Sequence, residues 1–442
     1  MEKFIVEGGN RLTGQIKVSG AKNVAMKVIL AGLLTDKPIY VKNIPLISSI
    51  FGTIEIVKPL GVKVKLNKDH TMTIIGDRLK SHVVPLELGG LYRTATMVMG
   101  PLLSRLGKAT VPNPGGCRIG KRPIDRHIDG LKALGAKIKY QDGYFMAETN
   151  RLYGTRYRFV HNTHTGTESM ILAAVLAQGQ TILENAACEP EIDDLVLLLN
   201  MMGAKIRRRQ RTIAIDGVKE LRGTEFSVMP DRNEVVTFAI AAIATKGEIV
   251  IEGTQRIHLK SFLRKLDEVN TNLWEPISET KTRFYNKDGL RSVGVTTAYH
   301  PGFMTDWQAP WAFLMTQAEG VSSIHETIYE DRFSYVSELC KMGAKIEFYS
   351  PKVSHPHKFY NFNWDKKNKN KPQAIKIFGP TNLHNAVLEV SDLRAGATLL
   401  LAGLAAEGES VVLGVEHIDR GYEEIEKRLA GLGGNIKRLQ EN

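Results

Sequence analysis

Along the 442-residue chain one order of apolar and polar positions returns about every 70 residues. A run rich in Ala and Leu, apolar at nearly every position, leads to a glycine: Leu102 to Gly107, Ala173 to Gly179, Ala241 to Gly247, Ala312 to Gly320, Leu400 to Gly408. A short β-branched run follows, as in Thr181-Ile-Leu, Ile249-Val-Ile and Ser410-Val-Val-Leu413. An amphipathic segment comes next, such as Ile128 to Leu134 or Leu195 to Met202. A glycine turn into a second strand closes the unit: Leu60-Gly61-Val-Lys-Val64, Leu134-Gly135-Ala-Lys-Ile138, Met202-Gly203-Ala-Lys-Ile206, Met342-Gly343-Ala-Lys-Ile346 and Leu432-Gly433-Gly-Asn-Ile436. Leu266 to Leu273 holds the sixth place without its glycine. The pattern predicts helix–strand–helix–strand, used six times. A first helix apolar all round is packed on every side. Its closing glycine is expected at the helix C-terminus in the left-handed region.

A chain of this length exceeds the size at which one core stops growing, so two domains of three units each are expected. With 43% hydrophobic and 24% charged residues the composition is that of a globular protein. No apolar stretch approaches the 18 residues needed to span a bilayer, and Met1 to Glu7 reads as a strand rather than a signal peptide. Three cysteines, Cys117, Cys188 and Cys340, provide no disulfide framework and point to a reducing cytoplasm. The net charge of +12 suits an anionic partner. Part of that excess is surface decoration, because Lys366 to Lys371 lies in a polar stretch, roughly 350–373, read as a surface insertion. Without an RNA-binding motif, an aromatic platform or zinc spacing, nucleic acid is not the expected partner.

Candidate chemistry lies in three places. Val111 to His127 carries three prolines, three glycines, Cys117 and several basic residues, and reads as a loop that sets a thiol in positive potential. An incidental Cys on a basic loop is an equally good reading of composition alone. Arg93, Arg122, Arg232, Arg332, Arg394 and Arg420 sit at loop-like junctions, and a guanidinium fork matches phosphate and carboxylate. An Asp beside or near four of them offers the plainer reading of ion pairs. Asp306, in His300-Pro-Gly-Phe-Met-Thr-Asp-Trp-Gln308, is either a turn cap or a general base beside a substrate hydroxyl.

Gly20-Ala-Lys-Asn23, Pro114-Gly-Gly-Cys117, Arg122-Pro-Ile-Asp125, Glu189-Pro-Glu-Ile192, Pro230-Asp-Arg232, Pro301 to Asp306, Glu330-Asp-Arg-Phe333, Asp392-Leu-Arg-Ala395 and His417-Ile-Asp-Arg-Gly-Tyr422 run in order over nearly the whole chain. In this set the chain resembles the UDP-N-acetylglucosamine 1-carboxyvinyltransferases, enolpyruvyl transferases that open bacterial peptidoglycan synthesis. The resemblance implies an α/β fold of two domains, each of three repeated α/β units about a pseudo-threefold axis. By that analogy residues 22–230 form one domain and residues 1–21 with 231–442 the other, and the two close on the substrates like a clam. It implies no cofactor and no metal, the substrates phosphoenolpyruvate and UDP-N-acetylglucosamine, and an addition–elimination through a tetrahedral ketal.

Carried over by motif, Lys22, Arg122 and Arg420 would hold phosphoenolpyruvate, supported by Arg93, Arg332 and Arg394. Cys117 would be the general acid and Asp306 the carboxylate at the sugar hydroxyl. Asn23, Arg122, Pro123, Ile124, Asp125, Thr165, Gly166 and Ile328 would line the UDP-sugar site. The chain departs from the family at four places, one of them the Trp307-Gln-Ala-Pro310 run after Asp306. The familiar Ser-Val-Gly-Ala-Thr-Glu-Asn run is Thr163-His-Thr-Gly-Thr-Glu-Ser169 here, Asn23 is followed by Val-Ala-Met-Lys27 in place of small apolar residues, and a Lys and an Asp expected near Leu46 to Ser49 are absent. Two other functions stay open: a sister transferase with another acceptor such as shikimate 3-phosphate, and a non-catalytic nucleotide-sugar sensor.

Overall fold

The computed structural model describes residues 2–115, 119–121, 123–365, 368 and 371–440. The chain forms two compact units. Met1–Ser19 and Pro230–Asn442 make the terminal unit, with which residues 119–121 are grouped; Gly20–Gly116 and Pro123–Met229 make the inserted unit. The strands fall into six small sheets, three per unit, five of four strands and one of three.

The repeat has a physical core. A strand leads into a central helix, and the strand after that helix runs parallel to its sheet partner. Within one repeat, Arg156–Arg158 pairs parallel with Gln180–Glu184, Val295–Thr296 with Gly320–His325, and Val387–Glu389 with Glu409–Leu413. Parallel pairing needs a crossover, and the central helix supplies it. In the three-stranded sheet this partner is reduced to a single bridge, Val83 to Thr110. At the two passages between units the pairing is exchanged: Thr13–Lys17 pairs with Glu248–Glu252, and Thr224–Ser227 with Ile39–Lys42. Each unit therefore completes its third sheet with a strand from a distant part of the chain.

The central helices are Lys22–Ala31, Met99–Leu106, His164–Ala174, Arg232–Ala244, Gln308–Thr316 and Leu393–Ala405. As the unbroken apolar runs predict, every residue of the Arg232 and Gln308 helices is buried. The glycine turns behave alike, with Gly61, Gly135, Gly203, Gly343 and Gly433 all at φ between 95° and 106°. Side chains rarely adopt that region, which is why glycine returns there.

The expectation for the first-helix glycines needs correction. Only Gly107 caps its helix directly in the left-handed region; Gly179, Gly320 and Gly408 are left-handed but lie in the turn or strand beyond. At the fifth site Lys246 takes the left-handed position instead (φ 52°). Gly247 is required for another reason: a Cβ there would stand 2.0 Å from the Leu12 carbonyl oxygen.

Two further readings change. The 350–373 stretch is more than polar decoration, because Tyr360 and Phe362 are buried and Tyr360 stacks on Trp364 at 4.5 Å. The Asn361 N–H donates to the Thr327 carbonyl (2.8 Å), fixing the stretch to the sheet beside it. The 111–127 segment is a loop only in part, since Val111 and Pro112 close a strand and Asp125–Ala133 is a helix. Among the described residues no helix is long and apolar enough to cross a membrane.

Candidate functional site

Several of the candidate residues sit at the N-terminal ends of central helices, where exposed N–H groups and the helix dipole favour an anion. In the terminal unit three such ends are tied together. Asp306 lies in the short turn Thr305–Trp307 that opens the Gln308 helix. Arg332 donates from Nη2 to Asp306 Oδ1 at 2.6 Å, and Arg394 Nη2 stands 3.9 Å from Asp306 Oδ2. Both arginines are 5% exposed. Charges so buried need partners; beside Asp306, Asp392 and Glu326 act on Arg332, and Asp231 on Arg394.

The aspartates adjacent in sequence do other work. Asp392 caps the Leu393 helix, accepting from the N–H groups of Arg394 and Ala395, and Asp231 caps the Arg232 helix through Asn233 N–H. Asp331 lies 3.7 Å from Lys371. Asp419 takes both guanidinium nitrogens of Arg438 (2.6 and 2.9 Å). The ion-pair reading of these arginines thus holds for Arg332 and Arg394, with Asp306 as the partner.

Arg232 reaches His300 Nδ1 at 3.1 Å and lies over the Trp307 ring. Trp307 donates to Asn233 Oδ1 (2.9 Å), which joins the Arg232 and Gln308 helix ends. Arg420 is partly exposed in the turn after Val415–His417. Ile328 donates its N–H to Glu326 Oε1 at 2.7 Å.

The inserted unit repeats the arrangement. Lys22 and Asn23 open the Lys22 helix, both part-exposed. Arg93 opens the turn Arg93–Val98 ahead of the Met99 helix and donates to the Pro123 carbonyl at 3.2 Å. Ile124 is buried at the start of the Asp125 helix, and Asp125 is exposed with its carboxylate on the Arg126 N–H (2.8 Å). Thr165 and Gly166 lie in the first turn of the His164 helix, capped by Thr163. His127 Nε2 contacts Thr165 Oγ1 at 3.1 Å, bringing Asp125's helix and the Thr165 turn together. Cys117 and Arg122 lie outside the described residues. Cys188 is half-buried on a connection, and Cys340 is exposed on the Val336–Lys341 helix.

Sequence reasoning passed over two residues here. Glu326 is fully buried and accepts from the Thr305 hydroxyl (2.8 Å) and the Ile328 and Tyr329 N–H groups; burial pushes its carboxyl up, against the pull of Arg332 and these donors. No local pattern marks it. Tyr422 belonged to a quoted motif but was given no role. Its hydroxyl accepts from Arg394 Nη1 (2.8 Å) and meets Thr237 Oγ1 (2.7 Å). Thr237 spends its own proton on the Asn233 carbonyl, so Tyr422 is the donor to Thr237. Burial, opposed by Arg394 and Thr237, raises the phenol above its ordinary value, so it stays protonated. Tyr422→Phe should cost about 1.5–3 kcal/mol, the range for a hydrogen bond to a charged group. A urea midpoint within error of the parent would show that Arg394 does not need this acceptor.

Among the described residues no group of three His, Cys, Asp or Glu side chains could hold a metal ion. Residues 6–429 match the family model described as EPSP synthase (3-phosphoshikimate 1-carboxyvinyltransferase). The chain is 40% identical to UDP-N-acetylglucosamine 1-carboxyvinyltransferase 2 of Carboxydothermus hydrogenoformans, covering all of both chains. It is also 40% identical to the UDP-N-acetylglucosamine 1-carboxyvinyltransferase of Koribacter versatilis, covering all of this chain and 97% of that one. Its fold matches the enolpyruvyl transferase NikO from Streptomyces tendae (TM-score 0.84, 23% identity, 100% and 99% covered) and EPSP synthase from Acinetobacter baumannii (TM-score 0.72, 17% identity, all of both covered). With a full-length family match, full-length relatives and the six-sheet fold in agreement, the chain belongs to the EPSP synthase family of enolpyruvyl transferases.

Proposed function

We propose that the chain transfers the enolpyruvyl group of phosphoenolpyruvate to the 3-hydroxyl of UDP-N-acetylglucosamine and releases phosphate. The observation that carries this reading is the gathering of Arg332 and Arg394 on Asp306 at the joined helix ends of the terminal unit. A carboxylate beside two guanidiniums suits a hydroxyl acceptor reacting with a phosphate- and carboxylate-bearing donor. The names of the full-length relatives support this acceptor, and no observation favours shikimate 3-phosphate or a sensor role.

Asp306 takes the proton of the acceptor hydroxyl as its oxygen bonds to the enol carbon. Cys117 supplies the proton that completes addition across the double bond. Phosphate then leaves with the proton that Asp306 took, and the Cys117 thiolate takes a proton back from the methyl carbon as the double bond re-forms. Lys22, Arg122 and Arg420 hold phosphoenolpyruvate, with Arg93, Arg332 and Arg394 beside them. Asn23, Pro123, Ile124, Asp125, Thr165, Gly166 and Ile328 line the UDP-sugar site. The setting is the cytoplasm, at the committed step of cell-wall synthesis.

The deciding assay is phosphate release from phosphoenolpyruvate, first with UDP-N-acetylglucosamine and then with shikimate 3-phosphate. Release with the second alone would transfer the reading to the sister reaction, and release with neither would leave a binding protein. Arg420→Ala should weaken use of phosphoenolpyruvate roughly ten- to a hundred-fold, the equivalent of about 1.5–3 kcal/mol, and use of the UDP-sugar far less. Asp419, bound to Arg438, gives Arg420's neighbour a structural task of its own. Equal loss for both substrates would make Arg420 structural.

A further inference from the structure

Two of the places where the chain departs from its family meet in space. Lys27 follows the altered Val24-Ala-Met run, His164 stands second in the altered 163–169 run, and both close on Glu168. Glu168 Oε2 lies 3.0 Å from Lys27 Nζ, and Oε1 lies 3.2 Å from His164 Nε2. Lys27 is 2% exposed and Glu168 fully buried. Both contacts are close ion pairs. Glu189, also buried, adds a second carboxylate near His164. Burial alone would lower the imidazole's proton affinity; Glu168 and Glu189 outweigh it, with Lys27 opposing, and the ring is held above its ordinary value. Two buried carboxylates thus face two cations.

Apolar side chains of similar size would fill this space without the desolvation cost of four charged groups. What the charges add is direction. Lys27 lies one helical turn beyond Asn23 on the same face, and Glu168 one turn beyond His164. The Lys27–Glu168 pair joins the two helices and fixes their rotation, and His164, on Glu168's own helix, holds the carboxylate by its other oxygen. Thr165 and Gly166 directly follow His164.

We propose that Lys27, Glu168 and His164 are positioning residues for the acceptor, a charge cluster that sets the first turns of the Lys22 and His164 helices and so places Asn23, Thr165 and Gly166 against the UDP-sugar. This rests on the transferase reading above.

The test is steady-state kinetics of His164→Val, Lys27→Met and Lys27→Arg beside the parent chain, with circular dichroism to confirm folding. His164→Val keeps the Lys27–Glu168 pair and remains informative where Lys27→Met fails to fold. KM for UDP-N-acetylglucosamine should rise roughly tenfold in His164→Val, while KM for phosphoenolpyruvate and kcat move less than about threefold; in folded Lys27→Met, whose helix also carries Lys22, both KM values should rise. Lys27→Arg, which keeps the charge, should stay near the parent. An active parent with His164→Val unmoved, or with both KM values rising together in that variant, overturns this inference alone. A parent inert toward UDP-N-acetylglucosamine overturns the transferase reading and this inference with it.

Discussion

An epoxide phosphonate of the fosfomycin type, a mimic of phosphoenolpyruvate, should inactivate the enzyme completely by alkylating Cys117, and faster with UDP-N-acetylglucosamine present. Arg118, Lys121 and Arg122 surround the thiol in sequence and favour thiolate, while a general acid needs its proton at working pH. The other cysteines lack that setting. Burial raises the Cys340 thiol on its helix, and Cys188 directs its Sγ to the Gln210 carbonyl at 3.7 Å. Cys117→Asp should turn over, since a carboxylic acid can donate a proton, yet resist the epoxide. Peptide mapping by mass spectrometry reads the result. A label on Cys188 or Cys340, or full sensitivity in the Asp variant, would remove Cys117 from this role.

Replacing Asp306 should lower kcat by about 10²- to 10⁴-fold, the usual contribution of a positioned general base. Asp306→Ala alone would not settle the role, because it also leaves Arg332 and Arg394 without their shared carboxylate. Breaking a buried pair in this way costs about 3–5 kcal/mol. Asp306→Asn separates the two tasks. Its amide oxygen still accepts from Arg332 Nη2, where the carboxylate now sits at 2.6 Å, but it cannot take a proton from the acceptor. As a base, Asp306 predicts an Asn variant that folds, loses less stability than the Ala variant and turns over as poorly. An Asn variant within about tenfold of parental kcat would make Asp306 an anchor for Arg332 and no more.

The repeat was legible because its physics is local. A helix buried on all sides must be apolar throughout, and a left-handed turn selects glycine, so both leave marks within a few residues. The same holds for the candidate arginines, whose places at element junctions follow from where the helices begin. The partners of those arginines were not legible. Asp331 stands beside Arg332 in the chain, yet Arg332 binds Asp306 from 26 positions away because the connection that carries it meets the start of the Gln308 helix. Lys27 and His164 read as unrelated departures until the fold set both on Glu168. The strand Thr13–Lys17 gives no local sign that its parallel partner is Glu248–Glu252. What the sequence determined by itself was the unit, its sixfold use and the family. Which charges face one another, and which strands complete each sheet, only the tertiary structure decided, because those pairings join residues whose separation in the chain carries no periodic signal.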